Sequence, residues 1–286
     1  MGLVVRITLH PTPPKMKKPL ILMTVLTMGL PALAQQDQAP KPEFNKAGAQ
    51  MAALPLPNPF DKLIAIEEVV GAGKIDWSAL ADAIAVDVDA NDFPGKADAS
   101  MALGVKIADG IVAIKAQNVE KLNRSADQLE ALGKKLGATA DDLKRARQVR
   151  EFANRGEWLM VFLELGFLQT DILQKLNTPE NQPYRTLVVA TGWLQGARYA
   201  TSLISANYSP AISNILREPL LTGELKKQLV ALGPDLQKSA KVQAIRKAVE
   251  GAYPIVNVGL EAPIAKEDVA KLKSLADTAV QTVTAK

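Results

Sequence analysis

Val119, Leu122, Ala126, Leu129, Leu132 and Leu136 step along the chain by three or four residues, so they line one face of a helix. The same step recurs downstream. Trp158, Phe162, Leu165, Ile172 and Leu176 form a second stripe, and Leu225, Leu229, Leu232 and Leu236 a third. Val242, Ile245 and Val249 follow, and Ala265, Val269, Leu272, Ala276 and Val283 close the chain. No segment alternates apolar and polar residues for long, and the connections are short, which suits antiparallel neighbours. This pattern predicts an all-α protein, a multi-helix bundle or stacked helical hairpins of about eight to ten helices.

Local signals place several boundaries. Asn118 opens a helix that Gly137 stops. Thr139-Ala-Asp-Asp142 resembles a capping box and opens a helix that runs to about Arg155, with Gly156 as its stop. Tyr184 to about Asn207 reads as one long, largely apolar helix, after which Ser209-Pro210 sets a serine cap before a proline at the first helical position.

The N-terminus carries a different pattern. Lys17 and Lys18 precede the apolar run Leu20–Leu33, which ends at Ala32-Leu33-Ala34. That is the layout of a secretory signal peptide, with translation starting at Met16 and cleavage after Ala34. The run is too short to span a bilayer. No cysteine follows it, so a lipid anchor on the mature N-terminus is chemically excluded. Residues 35–59, with Pro40, Pro42, Pro55, Pro57 and Pro59, read as a proline-rich tether, and 60–286 as the helical domain. The expected location is periplasmic or secreted.

Export changes the charge balance. Residues 1–34 hold four of the 34 basic residues and none of the 30 acidic ones, so the mature chain carries 30 of each sign. A neutral balance gives no long-range field to gather nucleic acid. Cleavage also removes His10, the single histidine, from a chain without cysteine. Ser-His-Asp and Cys-His nucleophiles, thiol redox centres, ordinary zinc sites and histidine-ligated haem are thereby excluded. Carboxylate acid–base chemistry remains open, and it requires two groups converging across a cleft.

The long helix over 184–207 has Gly192, Gly196 and Ala200 four residues apart, a smooth strip that suits either close helix packing or the floor of a ligand site. Gly104 and Ala108 offer a matching strip on an earlier helix. Gln195 and Arg198 interrupt the apolar run and argue against a membrane span. Arg198 and Asp109 each sit among apolar or small residues and are candidates for burial, where a charge needs a partner. Candidate ligand-binding residues are therefore Gly192, Trp193, Gly196, Arg198, Tyr199 and Asp109, with Tyr208 as a further wall.

Two acidic patterns add alternatives. Asp87, Asp89, Asn91 and Asp98 occupy positions 1, 3, 5 and 12 of a calcium-loop spacing, although Asp92 stands where that loop wants glycine and Asp98 where it wants glutamate. Calcium is the one cofactor the spacing suggests. Glu157, Glu164 and Asp171 recur every seven residues and share a helix face, but di-metal bundles pair such carboxylates with histidine. Gly71-Ala-Gly73-Lys74 lacks the rest of a phosphate loop and reads as a helix stop. Together these features predict a non-catalytic exported protein that binds or scaffolds a partner protein in the cell envelope. The alternatives are a carrier for a small apolar or amphipathic ligand and a carboxylate-dependent hydrolase or lyase.

Overall fold

Two helices in the middle of the sequence are apolar nearly all round, and such helices have to be buried on every side. They are α3 (Lys96–Lys115), buried without a break from Ala99 to Ile114, and α7 (Gln182–Ala206), buried over most of Thr186–Ile204. They pack against each other more extensively than any other pair and form the axis of the bundle. The computed structural model describes residues 59–71, 73–141, 143–259 and 262–285, all within one compact unit, Ala53–Lys286. The expected leader and most of the expected tether, 35–58, lie outside the described residues.

Around the central pair the chain lays α1 (Pro59–Val70), α2 (Trp77–Ile84), α4 (Val119–Lys135), α5 (Lys144–Asn154) and α6 (Trp158–Lys175). After α7 come α8 (Pro210–Ser213), α9 (Pro219–Val230), α10 (Pro234–Gln237), α11 (Ala240–Val256) and α12 (Lys266–Thr284). Ten of these helices have eight residues or more, and among the described residues there is no strand. The protein is an all-α multi-helix bundle.

On one flank α4 packs on α3, α5 on α4, and α6 on α5 with an edge on α3. On the other, α12 packs on α7, α11 on α12, and α9 on α11 and α7. The outer helices α4 and α5 are strongly amphipathic, as an outer layer requires. Among the described residues no helix is long and apolar enough to cross a membrane.

The turn chemistry explains most boundaries. The Asn118 side chain accepts from the Lys121 amide at 2.9 Å, and Gly137 takes a φ of +92° just past the last turn of α4. Gly156 plays the same part after α5 with φ +72°. Ser209 caps through the Ile212 amide, but the helix it opens is only four residues long. One boundary differs from expectation. The segment after Thr139 first closes through short turns (Lys144 N to Asp141 O, Ala146 N to Leu143 O, both 3.1 Å), and α5 proper starts at Lys144.

Candidate functional site

The polar residues of α3 and α7 meet inside the bundle. Asp109 is almost fully buried and accepts four hydrogen bonds. Its Oδ1 takes Gln195 Nε2 at 2.6 Å and the Tyr199 hydroxyl at 2.8 Å, and its Oδ2 takes Lys106 Nζ at 2.9 Å and the Val86 amide at 3.1 Å. A carboxylate has about four lone-pair positions, so Asp109 is saturated. Lys106 also donates to Val86 O at 2.8 Å. Its charge is met inside the same network, as burial demands.

Arg198 extends the network by one helical turn. Its Nη1 donates to Ile84 O at 3.1 Å and to Gln195 Oε1 at 2.8 Å, and its Nε to Asp277 Oδ1 of α12 at 2.7 Å. Asp277 also accepts from Lys273 at 2.6 Å. Burial alone would raise the Asp277 carboxyl, but the bonds from Lys273 and Arg198 outweigh it and hold the group below its ordinary range. Tyr199 moves the other way: burial, then the adjacent Asp109 carboxylate, push its phenol well above the ordinary tyrosine value. It therefore stays a neutral donor.

Asp109, Arg198 and Tyr199 thus come together, joined by Gln195, Lys106, Asp277 and the backbone at 84–86. Sequence reasoning missed the last three. Lys106 had a legible signal, three residues before Asp109 in an apolar helix. Asp277 had none, because it follows the ordinary polar pattern of an outer helix. Trp193 lies elsewhere: its Nε1 donates to Glu218 Oε2 at 2.6 Å, and Glu218 pairs with Lys62 at 2.6 Å. Tyr208 donates to Ile264 O at 3.0 Å.

Gly104 of α3 and Gly192 of α7 face each other. A Cβ on Gly104 would lie 2.1 Å from Val188 O, and one on Gly192 would lie 3.2 Å from Gly104 O. The strip at Gly192 is therefore filled by the backbone of α3, and Gly196 is buried one turn further along.

The acidic loop does not gather its oxygens. Asp87 accepts from Gln128 of α4 at 2.8 Å, Asp89 caps the Asn91 amide at 2.9 Å, and Asp98 faces Lys241 of α11 at 3.5 Å. Asn91 sits in a short 3-10 turn, Ala90–Asp92. Among the described residues no group of three or more His, Cys, Asp or Glu side chains is placed to hold a metal ion.

The seven-residue acidic series on α6 resolves into ion pairs. Glu164 and Asp171 both grip Arg145 of α5, at 3.0 and 2.7 Å, and Glu157 takes Arg155 at 2.6 Å. The guanidinium of Arg145 lies over the Phe167 ring, 4.9 Å from its centre. On the outer face of α6, Leu159 is 72% exposed, Leu163 39% and Phe167 49%. Spaced i, i+4 and i+8, they form one ridge. Gly166 sits beside them with nothing within 4 Å of where a Cβ would be. Comparison with family models, with curated proteins and with solved structures finds no match to this chain.

Proposed function

We propose that this chain is an exported, non-catalytic helical protein that binds a partner protein in the cell envelope, and that the outer face of α6 is the contact surface. The observation that carries the proposal is the ridge Leu159, Leu163 and Phe167, exposed together on one helix face. Three adjacent large apolar side chains in water are costly and mark interaction sites more often than scattered ones do. The ridge is held in place, since Arg145 is fixed by two carboxylates and stacks on Phe167. Gly166 lets a partner helix approach closely. Export rests on the leader pattern, and the absence of imidazole and thiol from the mature chain favours binding over catalysis.

A photo-crosslinking amino acid at position 163, in cells making the full chain, tests this. The expected result is a discrete heavier adduct that disappears when Leu159→Glu and Phe167→Glu are added. The same probe at Val230, which is exposed and far along the sequence from the ridge, should give none. An adduct equally strong from both positions, or no adduct at 163, overturns the proposal.

A further inference from the structure

A groove of about 370 Å³ runs along the surface between α11 and α12. Ala240, Ala244 and Ala248 line it from α11, and Ser274 and Thr278 from α12. These side chains are short, so the two helices leave a furrow that larger residues would fill. Its floor at Ala248 is buried, while Ser274, Thr278 and Lys247 at the rim are exposed. An apolar floor inside a polar rim is the anatomy of a protein contact. Lys247 is the one charged residue in the lining, and among the described residues it has no ion pair.

The ridge on α6 has the complementary form. The three alanines stand at i, i+4 and i+8, and so do Leu159, Leu163 and Phe167. Large side chains in a row of this spacing seat in a furrow of the same spacing, the commonest way helices pack. Between Glu157 and Asp171 the outer face of α6 shows no charge to solvent, because the one carboxylate in that span, Glu164, is buried on Arg145. The ends of the ridge carry the partly exposed carboxylates of Glu157 and Asp171, opposite in sign to Lys247. Residues 35–286 hold 30 basic and 30 acidic residues, so no net charge drives two copies apart.

Given that α6 is a contact surface, as proposed above, we infer that its partner is a second copy of this chain, and that the ridge of one copy docks in the α11–α12 groove of the next. Ridge and groove lie on opposite flanks of the bundle and cannot meet within one chain. A copy that gives its ridge to one neighbour therefore still offers its groove to another. Such a head-to-tail contact closes into a ring or continues as a filament.

The full chain has no cysteine, so single thiols can report which surfaces meet. Purified full chains bearing Leu163→Cys are mixed with chains bearing Thr278→Cys and treated with a short bis-maleimide. The expected result is a covalent dimer that forms about tenfold faster in the mixture than with either variant alone, because docking makes the second coupling intramolecular. Leu163→Cys mixed with Leu220→Cys should show no such gain, although Leu220 on α9 is 82% exposed. All three positions are exposed, so the thiols leave the fold intact. Ser274→Glu, added to the Thr278→Cys chain, should slow coupling to the Leu220→Cys rate without changing the circular dichroism spectrum. The sedimentation mass of the parent should pass that of a dimer as concentration rises. Fast coupling of Leu163→Cys to itself means that ridge meets ridge and overturns the inference. Equal rates for Thr278→Cys and Leu220→Cys, or no coupling, overturn it as well. An adduct to a different protein from position 163 in cells, without coupling of the purified chains, leaves α6 as a contact surface and overturns only the second copy as its partner.

Discussion

Gly104→Ala is the sharpest perturbation of the bundle axis. The added methyl would sit 2.1 Å from Val188 O, 2.2 Å from Thr191 Oγ1 and 2.9 Å from the Gly192 amide nitrogen. For the two oxygens, ordinary contact begins more than an ångström further out. The Thr191 hydroxyl is held by Leu187 O at 2.9 Å, and Val188 O belongs to a helix backbone that cannot rotate away. The two longest helices must therefore move apart. Overpacking costs about 1–3 kcal/mol and occasionally more, and a clash against backbone belongs at the upper end. Alanine returns about 1 kcal/mol of helix propensity. The net loss is about 2–3 kcal/mol, or roughly 5–10 °C in Tm for a domain of this size.

The same substitution elsewhere reverses the sign. At Gly166, with open space in place of a neighbour, only the propensity gain remains, about 0.5–1 kcal/mol. Gly192→Ala, at 3.2 Å from Gly104 O, falls between, because a few tenths of an ångström of movement relieve it. Urea unfolding followed by far-ultraviolet circular dichroism gives all three values. The order Gly166→Ala above parent, Gly192→Ala near parent and Gly104→Ala well below is the prediction. A Gly104→Ala protein as stable as its parent would refute the close approach of α3 and α7.

Asp109→Asn leaves the Lys106 ammonium buried without its counter-charge and should cost about 3–5 kcal/mol in the same assay, whereas Asp235→Asn, in an exposed pair, should stay within about 0.5 kcal/mol. Tyr199→Phe removes one of the four donors to Asp109 and should cost about 1.5–3 kcal/mol. Because the Tyr199 phenol is raised in the folded protein, the stability it contributes is complete below the ordinary tyrosine range. It is lost as pH rises from there through the folded value. Ultraviolet titration should accordingly show one of the four tyrosines ionising only with unfolding. Leu159→Glu should leave stability within about 0.5 kcal/mol, as expected of a side chain that packs on little in the monomer.

The helical architecture was legible because its signals are local. Apolar steps of three and four, an asparagine cap and glycines at positive φ act within a few residues of each other. Arg198 and Asp109 stood out for a related reason: a charge inside an otherwise apolar helix has to be explained. What they touch was not legible. Asp277 looks like any polar residue of an outer helix, and the acceptors at 84 and 86 are main-chain atoms that carry no residue signature. The calcium spacing shows the converse. Asp87, Asp89 and Asp98 have the right intervals, but each is turned to a different element by a partner remote in sequence or by its own turn. In α6, apolar residues lie on nearly every face, so the pattern cannot say which side is inward. The stripe through Leu165, Ile172 and Leu176 is buried, and the ridge through Leu159 and Phe167 is left outside because α6 lies on the flank of the bundle.

The buried network also answers a question of backbone chemistry. The last carbonyls of a helix have no partner within it and carry partial negative charge. α2 ends at Ile84 with neither of the usual local remedies: no basic residue lies in its last turn, and the residue after the cap Ala85, where a glycine commonly stands, is Val86. Ile84 is buried, so its carbonyl, left without a partner, would cost about 1–3 kcal/mol. The remedy comes from across the core. Arg198 and Gln195 of α7 reach Ile84 O, Lys106 of α3 reaches Val86 O, and Asp109 takes the Val86 amide. The buried charges are thus a capping device assembled from distant sequence. Its geometry fixes α2, α3, α7 and, through Asp277, α12 in a single register.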